Sequence, residues 1–147
     1  MTVAIVGALA LVVSACSGGD DESSVGGESI FVRAEAVVAA GGADTVYGSE
    51  DDRTAYVQIV RSTAAGASEY SDEVLLAAGD ETCRDLAGFV RQDRDVLFAM
   101  NVLWTNTLRY LDSTEAALFG AILSSASTVL CPETAEFAAE AVYWLGV

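Results

Sequence analysis

From residue 50 to the end of the chain, apolar side chains recur every three to four positions, and no stretch alternates apolar and polar residues between turn signals. That period buries one face of a helix and cannot fill one face of a sheet. The chain is therefore expected to be all-α, a small bundle of about four to five helices. Its stripes are legible one by one. Ser49 and Asp52 have the spacing of a capping box ahead of Tyr56, Ile59, Val60 and Thr63. Ser71 stands as N-cap before Leu75, Ala78, Gly79, Thr82, Cys83, Leu86 and Val90, with Asp72 and Glu73 suited to the positive first turn. The segment DRDVLFAMNVLWTNTLRYL reads as one helix whose stripe is Val96, Leu97, Met100, Leu103, Trp104, Leu108 and Leu111. Asp112 and Glu115 form a second capping box before Phe119, Ile122, Leu123, Ala126 and Leu130. Pro132 suits the first turn of a last helix that ends in Val142, Tyr143, Trp144 and Leu145.

Ahead of these helices the pattern changes twice. Residues 3–13, VAIVGALALVV, are an unbroken apolar run, too short for a permanent membrane span and suited to the core of a signal peptide. No lysine or arginine precedes it. The run ends in Val-Ser-Ala-Cys, which resembles the bacterial lipobox: an aliphatic residue, two small residues, then a cysteine. The resemblance implies that the Cys16 thiol carries diacylglycerol and that cleavage falls just before it. Residues 17–29, SGGDDESSVGGES, are small, polar and acidic, and suit a tether with a root-mean-square reach of about 15–20 Å. Ile30, Phe31, Ala34, Val37 and Val38 then mark a short amphipathic helix stopped by Gly41 and Gly42, and a turn-rich connector follows. The expected organisation is a signal peptide over 1–15, a lipid-anchored tether over 16–29, an accessory helix and connector over 30–48, and a helical domain over 49–147.

Two cysteines remain. Cys83 and Cys131 fall on apolar faces and can meet in the core; the alternative is two separate buried thiols. In a disulfide-permissive compartment two cysteines allow a single pairing. There is no C-x-x-C motif to suggest redox chemistry. The run DDRTAYVQIVRSTAAGASEYSDEVLLAAGDETCRDLA, followed by LFGAILSSASTVLCPE, resembles the domain of unknown function 732 family of small secreted or lipid-anchored actinobacterial proteins. Tyr56, Gly66, Cys83 with Asp85 and Leu86, and Cys131-Pro132 carry the resemblance, which spans about residues 50–134. It implies a helical domain closed by a Cys83–Cys131 disulfide, and it implies no activity. The apolar, aromatic segment after residue 93 and the tail TAEFAAEAVYWLGV depart from that pattern.

Composition narrows the function. Acidic residues number 22 against 7 basic ones, giving a net charge of −15. Every basic residue is arginine, and there is no histidine. Such a chain is repelled by phosphate backbones and by anionic lipid surfaces, so a nucleic-acid partner is not expected. Without histidine, triads and histidine-ligated zinc sites cannot be built. No phosphate-binding glycine loop occurs, no D-x-D-x-D-G calcium loop occurs, and no cofactor or metal is expected. The paired carboxylates Asp51-Asp52, Asp72-Glu73, Asp80-Glu81 and Asp93 with Asp95 read as caps and solvated faces. The expectation is a non-enzymatic module held to the outer face of the cell membrane and binding an envelope partner. Trp104, Tyr143 and Trp144 are its candidate partner or ligand surface. The alternative is a carrier of a small apolar ligand or lipid in a partly hollow core.

Overall fold

Each helix begins where a side chain satisfies its first free amides. The computed structural model describes residues 28–145, without the side chains of Trp104 and Leu145. The Ser29 hydroxyl accepts from Phe31 N–H and opens α1, Ile30–Ala39. Ser49 and Asp52 form the expected reciprocal box at α2, Glu50–Thr63. Ser71 caps α3, Asp72–Arg91, and Asp95 caps α4, Val96–Asn106. Asp112 and Glu115 form the second box, at α5, Ser113–Ser125. The last helix, α6, runs Ala135–Leu145. The fold is all-α, and the described residues hold no strand.

The helices number six, above the four to five expected, because the 30–39 segment is not an accessory. Ile30, Phe31 and Ala34 of α1 bury into the same core as α2, α3 and α5. Phe31 stacks on Tyr70 with ring centroids 4.5 Å apart. The α1 helix stops at Gly41 and Gly42, whose φ angles of 105° and 109° favour glycine.

The α3 helix is the axis of the molecule. It packs against α1, α2, α5 and α6 at different points around its circumference, and residues 77–83 are buried without a break. Small residues make this possible. A Cβ on Gly79 would lie 2.8 Å from Cζ and Oη of Tyr56 and 2.9 Å from Cδ1 of Leu130, so the absent methyl is where α2 and the end of α5 reach the α3 backbone. There Tyr56, fully buried, donates from its hydroxyl to the Leu75 carbonyl at 2.9 Å. Burial pushes the phenol far above its usual range, so it stays a donor.

Four details differ from the sequence-based reading. The segment after Asp95 is not one helix: it breaks at Thr107 (φ −131°, ψ −69°) into a 3-10 turn, Leu108–Tyr110. Within α4, Val96, Ala99 and Leu103 are buried and Leu97 is 65% exposed, since α4 packs mainly on α6 and needs only a narrow stripe. Ile59, Thr63 and Val90, expected inside, are exposed, and Val57 is the residue that joins Tyr56 and Val60 in the core. The α5 helix continues into a π-helical turn, Ala126–Leu130, before Cys131, and Pro132–Thr134 form a 3-10 turn ahead of α6.

Candidate functional site

The two cysteines on apolar faces do meet. Cys83, midway along α3, and Cys131, just past the π-helical turn, form a disulfide with S–S 2.04 Å and Cα–Cα 5.9 Å, both fully buried. The bond ties the C-terminal end of α5 to the axis helix across 48 residues of sequence. Next to it, Thr134 is buried and donates to the Cys131 carbonyl at 2.8 Å, fixing the turn into α6.

The remaining candidates are distributed. Cys16 lies outside the described residues, as does the side chain of Trp104. Tyr143 and Trp144 stand on the last turn of α6, 79% and 58% exposed, and touch each other edge to face at 5.9 Å.

A charged cluster escaped the sequence reading. Asp80 and Glu81 are not on a solvated face: they sit mid-helix on α3, 3% and 8% exposed. Arg53 Nη1 donates to Asp80 at 2.8 Å and to the Tyr47 carbonyl at 3.1 Å, and Asp80 also accepts the Tyr47 N–H at 3.0 Å. Arg33 Nε donates to Glu81 at 2.6 Å. Two ion pairs thus clamp the connector to α2 and α3, and α1 to α3. No local signal marks it: Asp80 and Glu81 stand in the mostly polar run DETCRD, and their partners Arg33 and Arg53 come from α1 and α2.

The cluster borders a cleft of about 400 Å³ between the end of α1, the connector and α3. Val37, Asp44, Ala77, Asp80, Glu81 and Arg84 are among its lining residues. Both Asp80 and Glu81 are bonded to guanidinium groups and hold the scaffold together, so neither is a free acid or base across that cleft. Asp85, half-buried, is pushed up to about 6 by desolvation first and by the Glu81 charge second. It faces a different gap, between Ile30, Leu86, Leu103 and Phe119, of about 10 Å³. That space is the size of one water and holds no substrate or lipid. A wider groove of about 500 Å³ lies open between α2 and α3, floored by Val57 and Leu76 and edged by Glu50, Arg53 and Asp72.

Among the described residues no group of three histidine, cysteine or carboxylate side chains stands close enough to hold a metal ion. Among the described residues one helical stretch, Ser113–Leu130, is long and apolar enough to span a bilayer by composition, with a mean hydropathy of 1.2 over 18 residues. Leu118, Phe119, Ile122, Leu123 and Leu130 of that stretch are core residues. Fold and site together define a disulfide-closed helical bundle built around one central helix. No family model, curated protein or solved structure matches the chain.

Proposed function

We propose that this chain is a lipid-anchored extracytoplasmic module without enzymatic activity, which binds partners of the cell envelope through the end of α6. The exposed Tyr143–Trp144 pair carries the reading. Large aromatics are costly to leave in water and are enriched where interfaces concentrate their binding energy. The remainder belongs to the N-terminal sequence: a signal peptide over 1–15, diacylglycerol on Cys16 and an acidic tether from there toward α1, as in the actinobacterial proteins of the family the chain resembles. Two acyl chains give stable anchorage, where one is marginal. The buried disulfide suits an exported protein.

Cross-linking in the native membrane is the test. Recurring neighbours are expected with the unaltered chain and are lost with Tyr143→Ala and Trp144→Ala, while the thermal midpoint stays unchanged because neither side chain is in the core. An unaltered set of neighbours in the double variant would contradict the assignment of this surface. A carrier function draws less support, since the gap in the core beside Phe119 is about 10 Å³. The open α2–α3 groove has room for a small apolar ligand.

A further inference from the structure

The seven arginines divide into two sets. Arg33, Arg53, Arg61 and Arg84 pair with carboxylates. Among the described residues, Arg91, Arg94 and Arg109 form no ion pair, and all three flank α4. That helix, VLFAMNVLWTN, contains no charged residue in a chain that is 20% charged. It leaves Leu97 65% and Phe98 43% exposed. Each end carries an arginine laid on an aromatic ring. The Arg94 guanidinium stands 4.7 Å over Phe98, and that of Arg109 stands 4.5 Å over Tyr110 and donates to its hydroxyl. Of the three aspartates that flank α4, Asp93, Asp95 and Asp112, Asp95 accepts Phe98 N–H at 2.7 Å and Asp112 accepts the first amides of α5.

We propose that α4 is an interfacial helix that lies against a lipid surface, with Leu97 and Phe98 at the acyl boundary and Arg91, Arg94 and Arg109 on lipid phosphates. An apolar helix bracketed by arginine and aromatic residues has the chemistry of the headgroup layer. Guanidinium binds phosphate through paired hydrogen bonds. The arginines without ion pairs at both ends of the apolar stretch favour a phosphate-bearing lipid surface as the occupant. Over residues 91–112 three arginines and three aspartates cancel, a neutral segment in a chain of net charge −15. At physiological salt, charges beyond about 8 Å are screened, so this segment escapes the repulsion that the chain's net charge would impose. The acyl chain on Cys16 would hold the bundle near the membrane; α4 would set which side faces it. The inference stands on α4 itself.

Hydroxyl-radical footprinting of the full chain tests it, with vesicles of phosphatidylcholine and phosphatidylglycerol. Footprints are read on the fraction that floats with the vesicles. Protection is expected at Leu97, Phe98 and Tyr110, with none at Ile59, which is exposed on α2. Changing Arg91, Arg94 and Arg109 to glutamine should weaken that protection roughly tenfold or more. The mass of the floated chain reports acylation independently, so a failed anchor shows as missing acyl mass and a failed α4 contact as an unprotected Leu97 in bound protein. Unprotected Leu97, or no flotation at all, overturns the proposal. So does protection that grows with protein concentration without vesicles, which would assign the face to a second copy of the chain.

Discussion

Gly79 and Gly88 occupy the same helix and should respond to alanine with opposite signs. At Gly79 the new methyl would fall 2.8 Å from Tyr56. It would force the ring away and break the hydroxyl bond to Leu75. Gly79→Ala is expected to cost about 1–3 kcal/mol of stability. At Gly88 a Cβ meets nothing within 4 Å, so Gly88→Ala should stabilise by up to about 1 kcal/mol through helix propensity. Denaturant midpoints check both, and a destabilised Gly88→Ala would show that α3 is not a regular helix there. Asp85 gives a pH signature. Its folded-state value is raised from 3.8 to about 6, so the folded chain holds the proton more tightly than the unfolded one. The sign follows: the contribution is most favourable below the unfolded value and is lost as pH rises through about 6. Asp85→Asn should therefore be more stable than the unaltered chain at about pH 7.5, with the gap closing toward about pH 4. A gap that is constant across that range would remove Asp85 as its source.

At the scale of elements, α3 is held by two kinds of fastening. The disulfide closes 48 residues of separation, worth about 4 kcal/mol on a chain-entropy basis. Cys83→Ser and Cys131→Ser are expected to lower the thermal midpoint by equal amounts. Unequal drops would mean that one serine disturbs its site beyond losing the bond. The ion pairs work by avoiding a penalty. Arg53→Met would leave Asp80 buried without its cation, and breaking such a pair by removing one partner costs about 3–5 kcal/mol. A thermal midpoint within a degree or two of the unaltered chain would contradict this role. Element ends were legible in the sequence because capping is local: Ser49 with Asp52, Ser71, and Asp112 with Glu115 each act within four residues. Facing was less legible. The apolar residues of α4 outnumber the positions it can bury, and periodicity could not say that Leu97 would be left outside and Ala99 taken in. Asp80 and Glu81 were misread for a related reason. Their partners Arg33 and Arg53 lie far away in sequence, and only the meeting of α1, α2 and α3 makes a buried carboxylate tolerable.

For the whole molecule, one buried helix ringed by others explains why so alanine-rich a chain can hold a core. Short side chains bring helices close, and the disulfide and ion pairs then join the points of closest approach. The same packing places α1 inside the bundle, so residues from 30 onward form one core. The last two residues of the expected 16–29 tether belong to the bundle: the Glu28 carbonyl accepts from Arg33 at 2.9 Å, and Ser29 caps α1. All-α class was readable from stripe positions; for Cys83 and Cys131 the stripes allowed a meeting and left two separate buried thiols open. The exposed ends of α4 and α6 were not, because exposure depends on which elements lie beside them. The anchored module is tested most directly by the intact mass of the protein extracted from its own membrane. The expected mass is that of a chain beginning at Cys16, carrying diacylglycerol, with Cys83 and Cys131 oxidised. A mass equal to the full unmodified sequence, in the soluble fraction, would contradict it.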